Sequence, residues 1–200
     1  TALEYGSVSV PLFKKTIDFK TNPAQSTVVT WASIDPSIAF SNIAAVRLTI
    51  MELSASADTY LLLYGLDSSG SRITTGYWGA TYRGTSGSTT QNNNGYMKFP
   101  AYGAAVQSTN YAYGSGMTGE IVFNPWREGS GNELTTGGQA SHYLSWQYNT
   151  EAHPYVEHGG YSHYNNHSTT MPPWEGGIDL YSNSNNFDHG RVVVEVILEG

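Results

Sequence analysis

Apolar and polar residues alternate with a period of two along most of the chain, and this alternation predicts strands. Thr27–Trp31 places Val29 and Trp31 on one face, and Ala44–Met51 sets Val46, Leu48 and Ile50 against Arg47 and Thr49. Tyr60–Leu66 is apolar throughout, the pattern of a central strand covered on both faces. Asp67-Ser68-Ser69-Gly70 reads as a hairpin turn, with Asp67 opening it and Gly70 at the positive-φ position, and Gly76–Arg83 reads as the return strand. Further strands are predicted at 96–99, 119–124, 142–148, 155–164, 177–181 and 191–198. Residues 84–95 hold no apolar side chain and are expected to form a long exposed loop. No segment carries a helical period, although 35–41 has room for one helical turn.

The expected fold is therefore all-β: a two-sheet antiparallel β-sandwich, jelly-roll-like, of about ten strands. No internal repeat or linker breaks the pattern, so residues 26–200 are expected to form a single sandwich domain. Residues 1–25 are set apart as an N-terminal arm or edge segment, because the alternation of Val8–Phe13 breaks at Pro11.

Composition sharpens this picture mainly by exclusion. Lys and Arg number 9 against 16 Asp and Glu, a net charge of -7, and the basic residues are scattered. A phosphate-binding surface for nucleic acid is not expected from such a balance. No apolar run approaches the length of a membrane-spanning helix, and the first residues show no secretory signal. The chain has no Cys, which removes disulfides and thiolate chemistry. Aromatic residues are abundant, with 15 Tyr, 5 Trp and 6 Phe, and the loops are rich in Gly, Ser, Thr and Asn.

The order of the elements carries a resemblance. Val46-x-Leu48-x-Ile50, then Tyr60-Leu61-Leu62-Leu63-Tyr64, then Asp67-Ser68-Ser69-Gly70, resembles the opening of a β-sandwich domain common in virion proteins of tailed bacteriophages. Tyr77 and Tyr82 are similar to that family's next aromatic strand, and Gly119–Pro125 to its middle strand. Gly177–Val194 resembles its ending: an Ile-x-Leu strand, an Asn-Phe loop, a Gly and a final alternating strand. The resemblance covers residues 26–200. It departs at Leu198-Glu199-Gly200, where the family tends to end in Tyr-Gly, and in the long His-rich stretch 142–171. It implies a structural component of the virion (tail, fibre or head decoration), assembled in the host cytoplasm. Such a component acts through contacts with other virion proteins, as a homo-oligomer or symmetric array, with no catalysis and no cofactor. Attachment to a host cell-surface glycan is compatible with that role.

The alternative function is a carbohydrate-binding module. Flat aromatic rings suit the apolar faces of sugars, and amides suit their hydroxyls. Trp126 and Trp174, beside Pro and charged residues, are the candidate exposed rings, with Tyr82 and Asn93 in support. Trp31, Trp78 and Trp146 fall in strand patterns and are expected in the core.

Three other chemistries have thinner support. His153, His158 and His163 are weak metal candidates, because their spacing does not put them on one strand face, and hydrogen-bonding loop histidines are the plainer reading. Glu128 with Glu133, or Glu151 with Glu157, would make a glycosidase pair only at a separation that spacing does not fix, so no catalytic residue is assigned. Asp58, Asp67, Asp179 and Asp188 lie near loops, with turn capping favoured over Ca²⁺ binding. Asn166-His167-Ser168 matches the glycosylation acceptor pattern and is taken as chance.

Overall fold

The computed structural model describes residues 12–55, 59–83, 88–99, 116–125, 139–146, 155–163 and 172–199. In chain order the strands are β1 (Leu12–Asp18), β2 (Ser26–Val29), β3 (Ile43–Ala55), β4 (Leu61–Leu66), β5 (Tyr77–Arg83) and β6 (Ser88–Asn94). They continue as β7 (Met97–Phe99), β8 (Met117–Asn124), β9 (Gln139–Trp146), β10 (Tyr155–His163), β11 (Gly177–Ser182) and β12 (Phe187–Leu198). One short helix, α1, spans Trp31–Ile34, and a 3-10 turn spans Phe40–Asn42.

The protein is an antiparallel β-sandwich. An eight-stranded sheet runs β1-β12-β3-β8-β9-β10-β5-β6, and a four-stranded sheet runs β2-β11-β4-β7. The chain repeatedly crosses between the sheets, as in a jelly roll. The inward residues predicted by alternation meet between the sheets. Val46, Leu48 and Ile50 of β3, Ile121 and Phe123 of β8, and Val192, Val194 and Val196 of β12 are all buried. They face Leu61 and Leu63 of β4 and Ile178 and Leu180 of β11 across one continuous core.

Three sequence expectations change: the 84–95 loop, the hairpin return strand and the place of the helical turn. The all-β sandwich is as expected, and its twelve strands among the described residues include two beyond the ten segments read from the sequence. One addition is β6, which occupies much of the expected 84–95 loop and pairs with β5 in unbroken register from Tyr77↔Asn94 to Arg83↔Ser88. The ladder is a main-chain device, so a strand with no apolar residue forms where a neighbour offers its backbone. The other is β1, an edge strand of the large sheet, as the edge-segment reading of the first 25 residues allows; within the described residues 12–25, Ile17 and Phe19 are core residues. Gly76–Arg83 is not the return strand of a hairpin with β4. The turn forms as expected, with Gly70 at φ 80 and the Asp67 carboxylate accepting from the Ser69 and Ser71 amides. After one bridge, Leu66↔Arg72, the chain leaves for the other sheet. Helical turns occur at 31–34 and 40–42, not across 35–41, and Thr30 caps the first by accepting from the Ser33 amide at 3.1 Å.

Trp174 ties the two sheets together. Its ring packs near Tyr77 and Phe123 of the large sheet and against Gly65 of β4. A Cβ at Gly65 would fall 2.3 Å from that ring, so only glycine fits there. The Trp174 carbonyl accepts from the Trp31 indole N–H at 2.9 Å.

Candidate functional site

Each half of the large sheet has its own character. The β1-β12-β3-β8 half is rich in Val, Ile and Leu, with its outer face carrying the Arg47–Glu195 ion pair. The β9-β10-β5 half is built from Gly, Ser, Tyr and His, because its strands alternate bulky inward residues with an aromatic or small outward residue. On β9, His142 and Leu144 are buried while Tyr143 is exposed. On β10, Glu157 and Tyr161 are buried while His158 is exposed. On β5, Tyr77, Gly79 and Thr81 are buried while Ala80 and Tyr82 are exposed.

The register brings the outward residues into rows. Tyr143 pairs with His158, and His158 with Tyr82. The three rings therefore form one line across three adjacent strands. Tyr143 is 59% exposed and Tyr82 40%, and the Tyr82 and His158 ring centroids lie 5.1 Å apart. The neighbouring row is Ser141, Gly160 and Ala80, paired in the same order. A row of rings thus stands beside a floor of small side chains. Elsewhere among the described residues, the exposed large apolar side chains are Leu12, Val28 and Met51, on three different strands.

Beneath this face lies a buried polar pair. His142 Nε2 and Glu157 Oε1 are 3.0 Å apart, and both side chains are wholly excluded from solvent. His142 Nδ1 has no hydrogen-bond partner among the described residues. Phe99 presents to the imidazole at 4.9 Å, and the Tyr161 hydroxyl donates to the Lys98 carbonyl at 2.8 Å, joining β10 to the edge of the small sheet. Burial pushes the Lys98 ammonium below its ordinary range against the pull of Glu157, and its Nζ sits 3.8 Å from the centre of the Tyr60 ring. This pair is enclosed, so it braces the sheet under the aromatic row and does not present a reactive group.

A second polar cluster covers the outer face of the small sheet. Asp179 is buried and takes Arg72 Nε at 2.6 Å and the Ser26 hydroxyl at 2.9 Å. The Arg72 guanidinium lies over the rings of Tyr64 and Tyr181, at 4.9 and 4.4 Å. Burial raises the Tyr64 phenol above its ordinary range.

The sequence candidates fare differently. Trp174 is fully buried, so it is a core residue and not an exposed ring for a sugar, although its neighbours Pro172 and Glu175 are exposed. Tyr82 is exposed and joins the aromatic row. Asn93 lies on β6 opposite Trp78 in the register. Trp126 and His153 lie outside the described residues, as do Glu128, Glu133, Glu151, Asp58 and Asn166. His158 and His163 both lie on β10, with His158 outward beside Tyr82. Among the described residues no three His, Asp or Glu side chains gather to hold a metal ion. Glu157 is spent on His142, Asp179 on Arg72, and Asp67 on its own turn. Tyr143 was missed as a site residue, and so was its alignment with His158 and Tyr82. The alternation of 142–148 does put Tyr143 on the face opposite Leu144, which was the available signal.

No protein-family model, curated protein or solved structure matches this chain.

Proposed function

We propose that the protein is a structural component of a tailed-bacteriophage virion, acting through protein–protein contacts as a homo-oligomer or symmetric array. The observation that carries this reading is the contrast between the two edges of the large sheet, of which only β6 is left plain. At one end the β1 edge carries Lys14 and Lys15, the charges that blunt a solitary edge. At the other end β6 has β5 as its one strand partner among the described residues, and its seven residues include no charge and no Pro. Solitary proteins blunt such an edge with charges, prolines or bulges, because its free N–H and C=O groups template further pairing. An edge left plain is suited to a neighbouring subunit, and an antiparallel sandwich of low charge suits a particle surface. The resemblance of residues 26–200 to virion β-sandwich domains supplies the context.

The test is quantitative mass spectrometry of purified particles from a phage that encodes the chain. Stoichiometric recovery with the particle, at constant ratio through a density gradient, is the expected result. Absence from purified particles overturns the reading.

A further inference from the structure

We infer that the outer face of β9-β10-β5 is a binding site for a neutral oligosaccharide, held on the row Tyr143–His158–Tyr82 above the floor Ser141–Gly160–Ala80. This goes beyond the assembly reading and does not depend on it.

Three aligned rings on a solvated sheet face need an explanation, because each could have been polar at no cost to the fold. Tyr143 and Tyr82 keep much of their surface in water, and a contiguous exposed apolar strip marks an interaction surface. Neighbouring strands lie about 4.8 Å apart, so the row runs for about 10 Å. That length suits a chain of two or three sugars laid across the strands. The flanking floor has no side chain larger than serine, which leaves depth beside the rings for a pyranose edge. Phenol hydroxyls, the imidazole and Ser141 supply donors and acceptors for sugar hydroxyls.

Charge selects the ligand class. Within this row the nearest charged side chain is Glu120, paired in register with Tyr143. No Lys or Arg lies among the six residues of the two rows; Arg47, two strands beyond Ser141 along the floor row, has its guanidinium engaged by Glu195 at 2.6 Å, so the rows themselves offer no bidentate recognition of a carboxylate, sulfate or phosphate. Glu120 adds repulsion for an acidic sugar approaching Tyr143. The backing is firm: Tyr161 packs over Gly79, where a Cβ would lie 2.3 Å from its ring, and the His142–Glu157 pair locks β9 to β10. A preorganised platform loses little entropy on binding.

The experiment presents the purified chain to an array of neutral and acidic oligosaccharides, followed by titration calorimetry of the best-retained glycan. Retention of neutral glycans is expected, with affinity falling about tenfold or more in Tyr143→Ala and in Tyr82→Ala while each variant still melts cooperatively as a folded chain. Ala80→Glu, which fills the floor from an exposed position, is expected to abolish binding; Val28→Ala, on the other sheet, is expected to leave it unchanged. Retention of no glycan by the folded wild-type chain overturns the proposal. So does binding that survives both tyrosine substitutions, or binding confined to acidic glycans. Dissociation of an oligomer by Tyr143→Ala, without glycan binding, would assign this face to a second copy of the chain instead. Absence from virions would refute the assembly reading and leave this result standing.

Discussion

Both sheets carry tyrosines on their outer faces, and only one set is closed. On the small sheet, Tyr64 and Tyr181 are covered by Arg72, which the buried Asp179 carboxylate holds in place. On the large sheet, Tyr143 and Tyr82 flank His158 with no cation laid over them among the described residues. The difference comes from one connection. The 66–73 turn delivers Arg72 onto the small sheet, and Asp179 gives it a reason to stay. A guanidinium over two rings satisfies their negative faces internally and removes them from ligands. The open set has no such plug, so its rings remain available. Aromatic content alone therefore does not locate a site; the neighbour that covers or spares each ring does.

Disruption of the closed side should have the largest effect. Trp174→Ala empties a fully buried indole position beneath the small sheet and is expected to cost about 3–5 kcal/mol, read as a lower denaturant midpoint. A cost below about 1 kcal/mol would mean that Trp174 does not join the sheets. Asp179→Ala comes next, at about 2 kcal/mol, because it releases Arg72, whose partial exposure softens the loss. In a double-mutant cycle with Arg72→Ala, the two substitutions should be strongly non-additive; additive losses would show that the pair does not close the face.

Alkaline titration should probe the buried phenols of both sheets more gently. Burial raises the Tyr64 and Tyr77 phenols above the ordinary value of 10.0, so the folded state favours their neutral forms. The stability they contribute is complete below pH 10.0 and is lost as pH rises through their folded-state values. Wild-type denaturation midpoints should fall steeply on that limb, and Tyr77→Phe should flatten the fall. An unchanged slope would place the alkaline sensitivity elsewhere. The smallest effect belongs to the open side. Tyr143→Ala should change stability by less than about 0.5 kcal/mol, because little of the ring is buried. A larger loss in chemical denaturation would mean that the row is structural.

Much of the scaffold was legible in the residues. The alternation in 44–51 and 191–198 named the inward side chains, and Asp67 with Gly70 named a turn that forms as read. The site was only partly legible. Tyr82 was singled out, but Trp174 misled because flanking Pro and Glu resemble a loop tip when they in fact border a buried ring. The His142–Glu157 pair could not be foreseen, since each residue alone looks like an ordinary polar position in a polar strand. Residues 88–94 carried no strand signal, because their pairing is made by the backbone.

By itself, then, the sequence determined that the chain folds as β-structure, which positions face inward along most strands, and that cysteine chemistry is absent. Alternation encodes the two faces of a strand because successive side chains point to opposite sides. Only the tertiary structure decided which strand lies beside which. Ladder partners are chosen by contacts between residues far apart in the chain, and no local pattern specifies them. Tyr82 meets His158, and His158 meets Tyr143, only because β5 crosses to the large sheet and pairs with β10. That choice, set by the packing of the whole core, places three rings in one line.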